Sequence, residues 1–269
     1  MTRILFFWDI YWRTGRNAVI KNISKLREKY SPDFTLANID NLSSGRGAIE
    51  KHVIELEQVW FDGFSSGDHI FDNEDRIQSH LSSENNKIIL PSNLYPQVWK
   101  KYLWKWYKIL EKQGKRIIFI HLLGQIFMHM GSYNPFLKLQ EILTEIKDEK
   151  VDGIIIDFHK EASSEIAWMF HIYDGEIACI FWTHTHIQTN DEMISKKWTG
   201  FITDVWMNGP LYSVIGAHPD SVKKRFLTGV QKGKIEQQTD SNYVLSGIVI
   251  DIEWWICTKL EKFREIGTL

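Results

Sequence analysis

The 269-residue sequence predicts an α/β fold, on three observations. Short, strongly apolar runs alternate with segments of helical periodicity through the first two thirds of the chain. The last third carries longer strand-like segments with turn signals, which implies more antiparallel pairing towards the C-terminus. No repeat, low-complexity tract or Pro/Gly/Ser linker divides the chain, so residues 1–269 are expected to form one domain.

The elements come in this order. Residues 3–7 (ILFF after Arg3) read as a buried strand and residues 15–30 as a helix with Ala18, Val19, Ile23 and Leu26 near one face. A second strand covers 34–37, and a helix over 48–59 has Ile49, Val53 and Leu56 at helical spacing. Short strands are expected at 63–66 and 88–90. Segments 108–110 and 116–121 form a hairpin across Lys112-Gln113-Gly114-Lys115. A helix is expected at 137–147, then apolar strands at 153–158 and 177–181 separated by a helix over 163–171 that starts at Ser163-Ser164-Glu165. Pro219 opens a helix to Thr228, and strands are expected near 234–238, 243–253 and 256–264.

Composition narrows the function. With 32 Lys+Arg against 34 Asp+Glu the net charge is only −2, which excludes a polybasic arm or acidic tail as the main theme. A hydrophobic share of 43% excludes a mostly disordered chain. No apolar run approaches the roughly 18 residues of a membrane span, and MTRILFFWDI shows no signal-peptide cleavage site, so a cytoplasmic protein without membrane association is expected. Cys179 and Cys257 are too few for a disulfide framework or a thiolate metal cluster.

The polar residues at the ends of the apolar runs are more informative. The first run ends at Asp9; the second in Asn38, Asp40 and Asn41; the third in Asp68 and His69; the 153–158 run carries Asp157 and delivers His159, with Glu161 beyond; the 177–181 run delivers His184 and His186. Ligands of open α/β sheets bind outside the carboxyl ends of the strands, so five strand ends converge carboxylates, an amide and imidazoles on one edge. A single Asp after a strand is ordinarily a cap or turn former, and a single His a hydrogen-bonded surface residue. Five such sites in strand order exceed what capping explains. His184 and His186, two apart in an extended segment, should present both rings to one face. Oxygen and imidazole donors without thiolate suit Mn, Fe or Zn, and ligands spread over several strands suit a pair of metals clamping a phosphoryl group. The sequence contains no phosphate-binding or dinucleotide-binding glycine loop and no nucleophile elbow.

The stretches DIYWRTGR (9–16), ANIDN (37–41), GDHIFD (67–72), DFHKEASSE (157–165), THTHIQT (183–189) and ITDVWMNGP (202–210) resemble the YmdB-type metallophosphoesterases, compact calcineurin-like enzymes similar to bacterial 2′,3′-cyclic-nucleotide phosphodiesterases. The resemblance covers nearly the whole chain and implies a layered α-β-β-α sandwich. It further implies that Asp9 and His186 hold one metal, that Asp40 bridges, and that Asp68, His159 and His184 hold the second, with Asn41 beside the cluster. His69 would be the general acid for the leaving alkoxide as a metal-held hydroxide attacks phosphorus. Two transition-metal ions, Fe or Mn before Zn, and a small phosphodiester substrate, an RNA-derived nucleotide included, are the implied cofactors and partner; a homo-oligomer remains open. On the residues alone, Glu161 reads either as a group that orients His159 from behind or as a solvated acidic helix end. Residues 212–216 would close over the site.

The chain departs from the family pattern at three places. Asp40 stands where the family carries Glu, and Asp68 where it carries Asn; the extra carboxylate should hold cations more tightly and repel phosphate more. The third departure is systematic: of 12 tryptophans, Trp8, Trp12, Trp60, Trp104, Trp106, Trp182, Trp198, Trp206, Trp254 and Trp255 fall where glycine is expected. They read as UGA codons of a lineage that decodes UGA as glycine. Taken as tryptophan, Trp8, Trp12 and Trp182 should crowd the cluster and favour a catalytically impaired regulatory or RNA-associated protein, for which Trp99 to Trp106 with Lys100, Lys101, Lys105 and Lys108 would form a basic stacking platform. A phosphomonoesterase on the same metals is the other alternative.

Overall fold

The computed structural model describes residues 1–95, 97, 102, 105–230 and 233–269. Two sheets face one another with helices on their outer sides, which is the layered α-β-β-α arrangement. The first sheet contains β1 (Thr2–Phe7), β2 (Phe34–Asn38), β3 (Gly63–Ser65), β4 (Ile88–Ile89), β11 (Gly209–Pro210), β12 (Asn242–Glu253) and β13 (Ile256–Thr268). Its order is β11-β12-β1-β2-β3-β4, with β13 also paired to β12. The second contains β5 (Lys108–Lys112), β6 (Lys115–Leu123), β7 (Gly153–His159), β8 (Cys179–Thr183), β9 (Met193–Ile194) and β10 (Gly200–Ile202), in the order β5-β6-β7-β8-β10-β9. Strands β1 to β4 are parallel, as are β6, β7, β8 and β10, while β12 runs antiparallel to β1, β11 and β13.

The side-chain alternation of strands explains the layers. Leu5 and Phe7 of β1 face outwards onto Val19, Ile23 and Leu26 of α1 (Trp12–Tyr30), beside α2 (Glu50–Glu57) and a short α3 (Gln78–Leu81). Ile4 and Phe6 face inwards and meet Ile117 and Phe119 of β6, Ile155 of β7 and Phe181 of β8. On the far side, Ile154, Ile156 and Phe158 pack against α4 (Pro135–Glu145) and α5 (Ser163–Ile172). Each central strand is thus apolar on both faces because both faces are covered. A final helix, α6 (Pro219–Thr228), starts on Pro219 and stops at Gly229 in the left-handed region, as residue chemistry at helix ends requires.

The expected elements are present with shifted ends: α1 begins a turn early, α2 is shorter, and β13 runs to Thr268. The hairpin turn between β5 and β6 is Gln113-Gly114, both at positive φ. Three differences matter. Residues 234–238 are irregular apart from a bridge between Ala217 and Gln237, because they serve as the wall of a cavity and not as a sheet edge. The short strands β9, β10 and β11 and a 3-10 turn at Ile70–Arg76 carry too few residues for periodicity to register. The five polar strand ends belong to two sheets, three from the first and two from the second, where the sequence suggested one edge. Trp99, Lys100, Lys101 and Trp104 of the stacking platform lie outside the described residues. Among the described residues no helix is long and apolar enough to cross a membrane.

Candidate metal centre and active site

The ends of β1, β2 and β3 lie opposite the ends of β7 and β8, so their trailing residues meet across the gap between the sheets. His159 Nε2 stands 3.1 Å from Asp68 Oδ1 and 3.7 Å from Asp40 Oδ2. His184 Nδ1 is 3.1 Å from His159 Nε2 and 3.7 Å from Asp68 Oδ1. Ligand atoms of Asp68, His159 and His184 all lie within 4.8 Å of one another, as do those of Asp40, Asp68 and His69. On the other side, His186 Nε2 is 3.4 Å from Asp9 Oδ2 and 3.1 Å from Asn41 Nδ2, which also donates to Asp40 Oδ2 at 3.2 Å. All eight residues that the sequence places at the centre are therefore within one continuous set of contacts, with Asp40 between the two halves.

Backbone geometry makes this approach feasible. Gly67 has φ of 93°, and a side chain there would collide with the Asp40 carboxylate. His69 donates its backbone N–H to Asp40 Oδ1 at 2.7 Å, and its Nδ1 is held by Asp72 at 3.1 Å, which leaves Nε2 for a ligand. His184 and His186 do not sit in an extended segment: β8 ends at Thr183, and the two histidines have φ of 114° and 63°. That left-handed path sends one ring to His159 and Asp68 and the other to Asp9, so the pair spans the centre, whereas alternation had put both rings on one face. Such conformations are costly for residues with a Cβ and persist where surrounding contacts over-determine them. His186 is tied down by donating Nδ1–H to the Ile215 carbonyl at 2.9 Å.

Glu161 is the second correction. Its carboxylate is 3.1 Å from His184 Nε2, so it supports His184, and no contact joins it to His159. The support of His159 comes from Asp157 and Asn38, which the sequence marked at the strand ends without a role, and from Thr183 and Ser65, which it did not mark. Nδ1 of His159 lies 2.7 Å from Thr183 Oγ1, which donates to Asp157 Oδ1 at 2.8 Å. Asp157 Oδ2 accepts from Asn38 Nδ2 at 3.0 Å and from the Ser65 hydroxyl. His121 of β6 accepts the Gly67 N–H at 2.9 Å and meets the Asp157 carbonyl at 3.1 Å. Period-two spacing of Asp157 and His159 on β7 was the available signal, since it puts both on the inner face.

The electrostatics are those of a site that awaits cations. Burial pushes Asp40 well above the usual carboxylate range, reinforced by Asp68 and Asp9 and opposed by His159. Burial acts against His159 too, but Asp40, Asp68 and Asp9 prevail and hold the imidazole up to about 10. Burial lowers His184 to about 3, with the His159 charge adding to it. His69 is lowered by burial against the pull of Asp68 and Asp72. A metal fits these residues on a direct observation: Asp9 Oδ1 is buried with no hydrogen-bond partner, an arrangement that costs free energy unless a cation meets it. The donors are oxygen and imidazole nitrogen, as divalent transition metals prefer.

The centre opens into a cavity of about 640 Å³. Tyr11, Arg46, Arg225, Phe226, Lys234 and Gln237 line its outer part, and Val214 and Ile215 of the 212–216 loop cover it from one side. Gly216, with φ of 104°, lets that loop pass the Tyr11 ring, into which a Cβ would run. No tryptophan among the described residues lines the cavity. Trp8 points between the sheets, where its ring meets Phe6 and Phe181 at 5.8 Å and 5.7 Å, and Trp182 points to the helix side. The expectation that Trp8 and Trp182 crowd the cluster is thus corrected, because strand alternation turns them into the two cores.

Comparison with known proteins identifies the family. The chain is 35% identical to the 2′,3′-cyclic-nucleotide 2′-phosphodiesterase of Bacillus subtilis over 253 residues, covering 93% of this chain and 91% of that one. Among solved structures, a phosphatase from Mycoplasma pneumoniae superposes with a TM-score of 0.91 at 27% identity, covering 99% of this chain and 94% of that one. A protein from Thermus thermophilus superposes with a TM-score of 0.89, also at 27% identity, covering 99% and 100%. The profile of the YmdB-like protein family matches residues 5–262, and the chain belongs to that family of phosphoesterase hydrolases.

Proposed function

We propose that this phosphoesterase is a phosphodiesterase for 2′,3′-cyclic nucleotides or related small phosphodiesters, working through two cations. The observation that carries this is the meeting of three carboxylates and three imidazoles from two facing sheets, with one buried Asp9 oxygen left without a hydrogen-bond partner, at the floor of an open cavity. Asp9 and His186 would hold one ion and Asp68, His159 and His184 the other, with Asp40 shared and Asn41 at the cluster's edge. Iron or manganese suits this donor set best, zinc next. When bound, the ions supply Lewis acidity to the phosphoryl oxygens and lower the pKa of water. The chain's own residues orient the diester and manage the proton. His69 protonates the departing alkoxide through Nε2, while Asp72 on Nδ1 stabilises the imidazolium. Burial lowers His69, and the negative charge of an arriving diester raises it again.

A phosphomonoesterase is the second reading, favoured by the phosphatase among the similar structures. Turnover of bis-p-nitrophenyl phosphate and p-nitrophenyl phosphate by protein loaded with Mn or Fe separates the two, and a 2′,3′-cyclic nucleotide tests the substrate class. Faster diester hydrolysis with opening of the cyclic ester supports the proposal. Monoester preference overturns the diesterase assignment. Absence of both bound metal and hydrolysis overturns the enzyme mechanism and returns the regulatory alternative.

A further inference from the structure

Asp157 is buried between the sheets, beneath the candidate ligands and in contact with none of them. Its carboxylate accepts hydrogen bonds from three strands, from Asn38 of β2, Ser65 of β3 and Thr183 of β8, and His121 of β6 stands 3.6 Å from Oδ2. Proton directions are decided by chemistry. A carboxylate only accepts, so the Thr183 hydroxyl proton goes to Asp157, and Thr183 Oγ1 is left to accept from His159. Nδ1 of His159 then carries hydrogen, and the lone pair of Nε2 is turned towards Asp68 and Asp40. Asn38 extends the same chain to the first sheet: its side-chain oxygen accepts the Asp40 backbone N–H at 2.9 Å while its amide donates to Asp157.

We propose that Asp157 is a positioning residue that, through Thr183, fixes His159 as the Nδ1–H tautomer and sets the affinity of the cation site. It rests on His159 being a ligand, and it assigns the orientation of that ligand to a carboxylate two residues earlier on the same strand. Such supports contribute about 10–100-fold to metal affinity.

The test measures Mn dissociation constants by competition with a chelator, using whole protein of verified fold. Thr183→Val, which removes the hydroxyl at constant shape, should weaken Mn about 10–100-fold. Thr183→Ser should restore it. Ser65→Ala, which touches Asp157 but not the path to His159, should lower thermal stability and leave Mn affinity near that of the parent. Nitrogen-15 spectra of His159 in the Zn-loaded parent should report hydrogen on Nδ1, and they keep the question answerable should Thr183→Val fail to fold. Parental affinity in Thr183→Val, or hydrogen on Nε2, overturns the proposal. A parent that binds no Mn overturns instead the function on which it rests.

A second inference stands on independent backbone evidence. Among the described residues thirteen non-glycine residues have positive φ, and six of them are tryptophan: Trp12 (51°), Trp60 (71°), Trp198 (72°), Trp206 (82°), Trp254 (50°) and Trp255 (71°). A few per cent of non-glycine residues adopt this region, with Asn, Asp and His enriched, and for a bulky residue it is an outlier. Two of the other seven are the histidines of the candidate centre, His184 and His186. All six tryptophans sit at or between the ends of named elements, where glycine ordinarily supplies the conformation. Trp254-Trp255 is the two-residue turn between β12 and β13, both residues at the positive φ that a type I′ turn demands. The buried Trp206 indole nitrogen has no hydrogen-bond partner.

We infer that these six positions are glycine in the native polypeptide, encoded by UGA that the host reads as glycine. Mass spectrometry of protein isolated from that host decides it. The tryptic peptide spanning 235–259 should carry the mass of glycine at both 254 and 255, and the gene should show UGA at all six positions. Tryptophan masses in that peptide, or UGG codons, overturn the inference.

Discussion

Position 254 permits a measurement in which the backbone term is isolated from the side chain. Trp254 is 90% exposed, so little packing is lost on truncation, and its φ of 50° is retained by the β12–β13 turn. Ala and Gly at this site differ by two opposing quantities. The left-handed conformation costs a residue with a Cβ roughly 1–2 kcal/mol, which glycine avoids. Glycine also enlarges the unfolded ensemble, at about 0.4–1 kcal/mol. Trp254→Gly should therefore be more stable than Trp254→Ala by about 0.5–1 kcal/mol. Trp168 is the control: it lies inside α5, outside the positive-φ set, and is half exposed. There Gly should be less stable than Ala by roughly 0.5–1 kcal/mol. The sign reversal between the two sites is the signal. In a protein of this size each kcal/mol moves the midpoint by about 2–4 °C, within reach of thermal or urea unfolding. Ala equal to or better than Gly at 254 would refute the strain argument.

The active-site predictions concern metal and proton. His69→Ala should lower kcat at least about 100-fold, as loss of a general acid does, with metal stoichiometry unchanged by elemental analysis; loss of metal would make His69 a ligand, a role its proximity to Asp40 and Asp68 would allow. Asp68→Asn should weaken cation binding and lower KM, since it removes a charge that faces both His159 and the incoming phosphate; unchanged values of both would sink that account. His159, held up to about 10 by Asp40 and Asp68 against its burial, is protonated in the cation-free protein at neutral pH, and a metal must displace that proton. Cation affinity should accordingly rise about tenfold per unit between pH 7 and 9, and a chelator competition curve flat across that window would falsify it. In the cation-free protein the sign for stability is the reverse: the stabilisation from the raised His159 is complete below its unfolded value of about 6.5 and is lost as pH climbs through about 10.

Much of the fold was legible because the signals are local. The helix from Pro219 to Thr228 is bounded by a residue that suits the first turn and a glycine that ends it, and the sequence placed it between Pro219 and Thr228. The apolar runs that became β1, β7 and β8 are covered on both faces and so carry no alternation to misread. Residues 234–238 misled because their alternation of Ile235 with polar neighbours reflects one wall of a cavity. The centre was legible as residue types at strand ends. Trp8 and Trp182 were misjudged because proximity in sequence to Asp9 and Thr183 says nothing of which side of the strand an indole takes.

Residue chemistry alone determined that acids and histidines would end the apolar strands, and which segments would be strand or helix, since those properties depend on neighbours a few positions away. Only the tertiary structure decided what each imidazole faces. His159 meets Asp157 through Thr183, His184 meets Glu161, and His186 meets Asp9, in the last case from opposite ends of the chain's first two thirds. Those partnerships arise where two sheets close on one another, and hydrogen-bond geometry at tenths of an ångström is a property of that closure, which no stretch of sequence carries by itself.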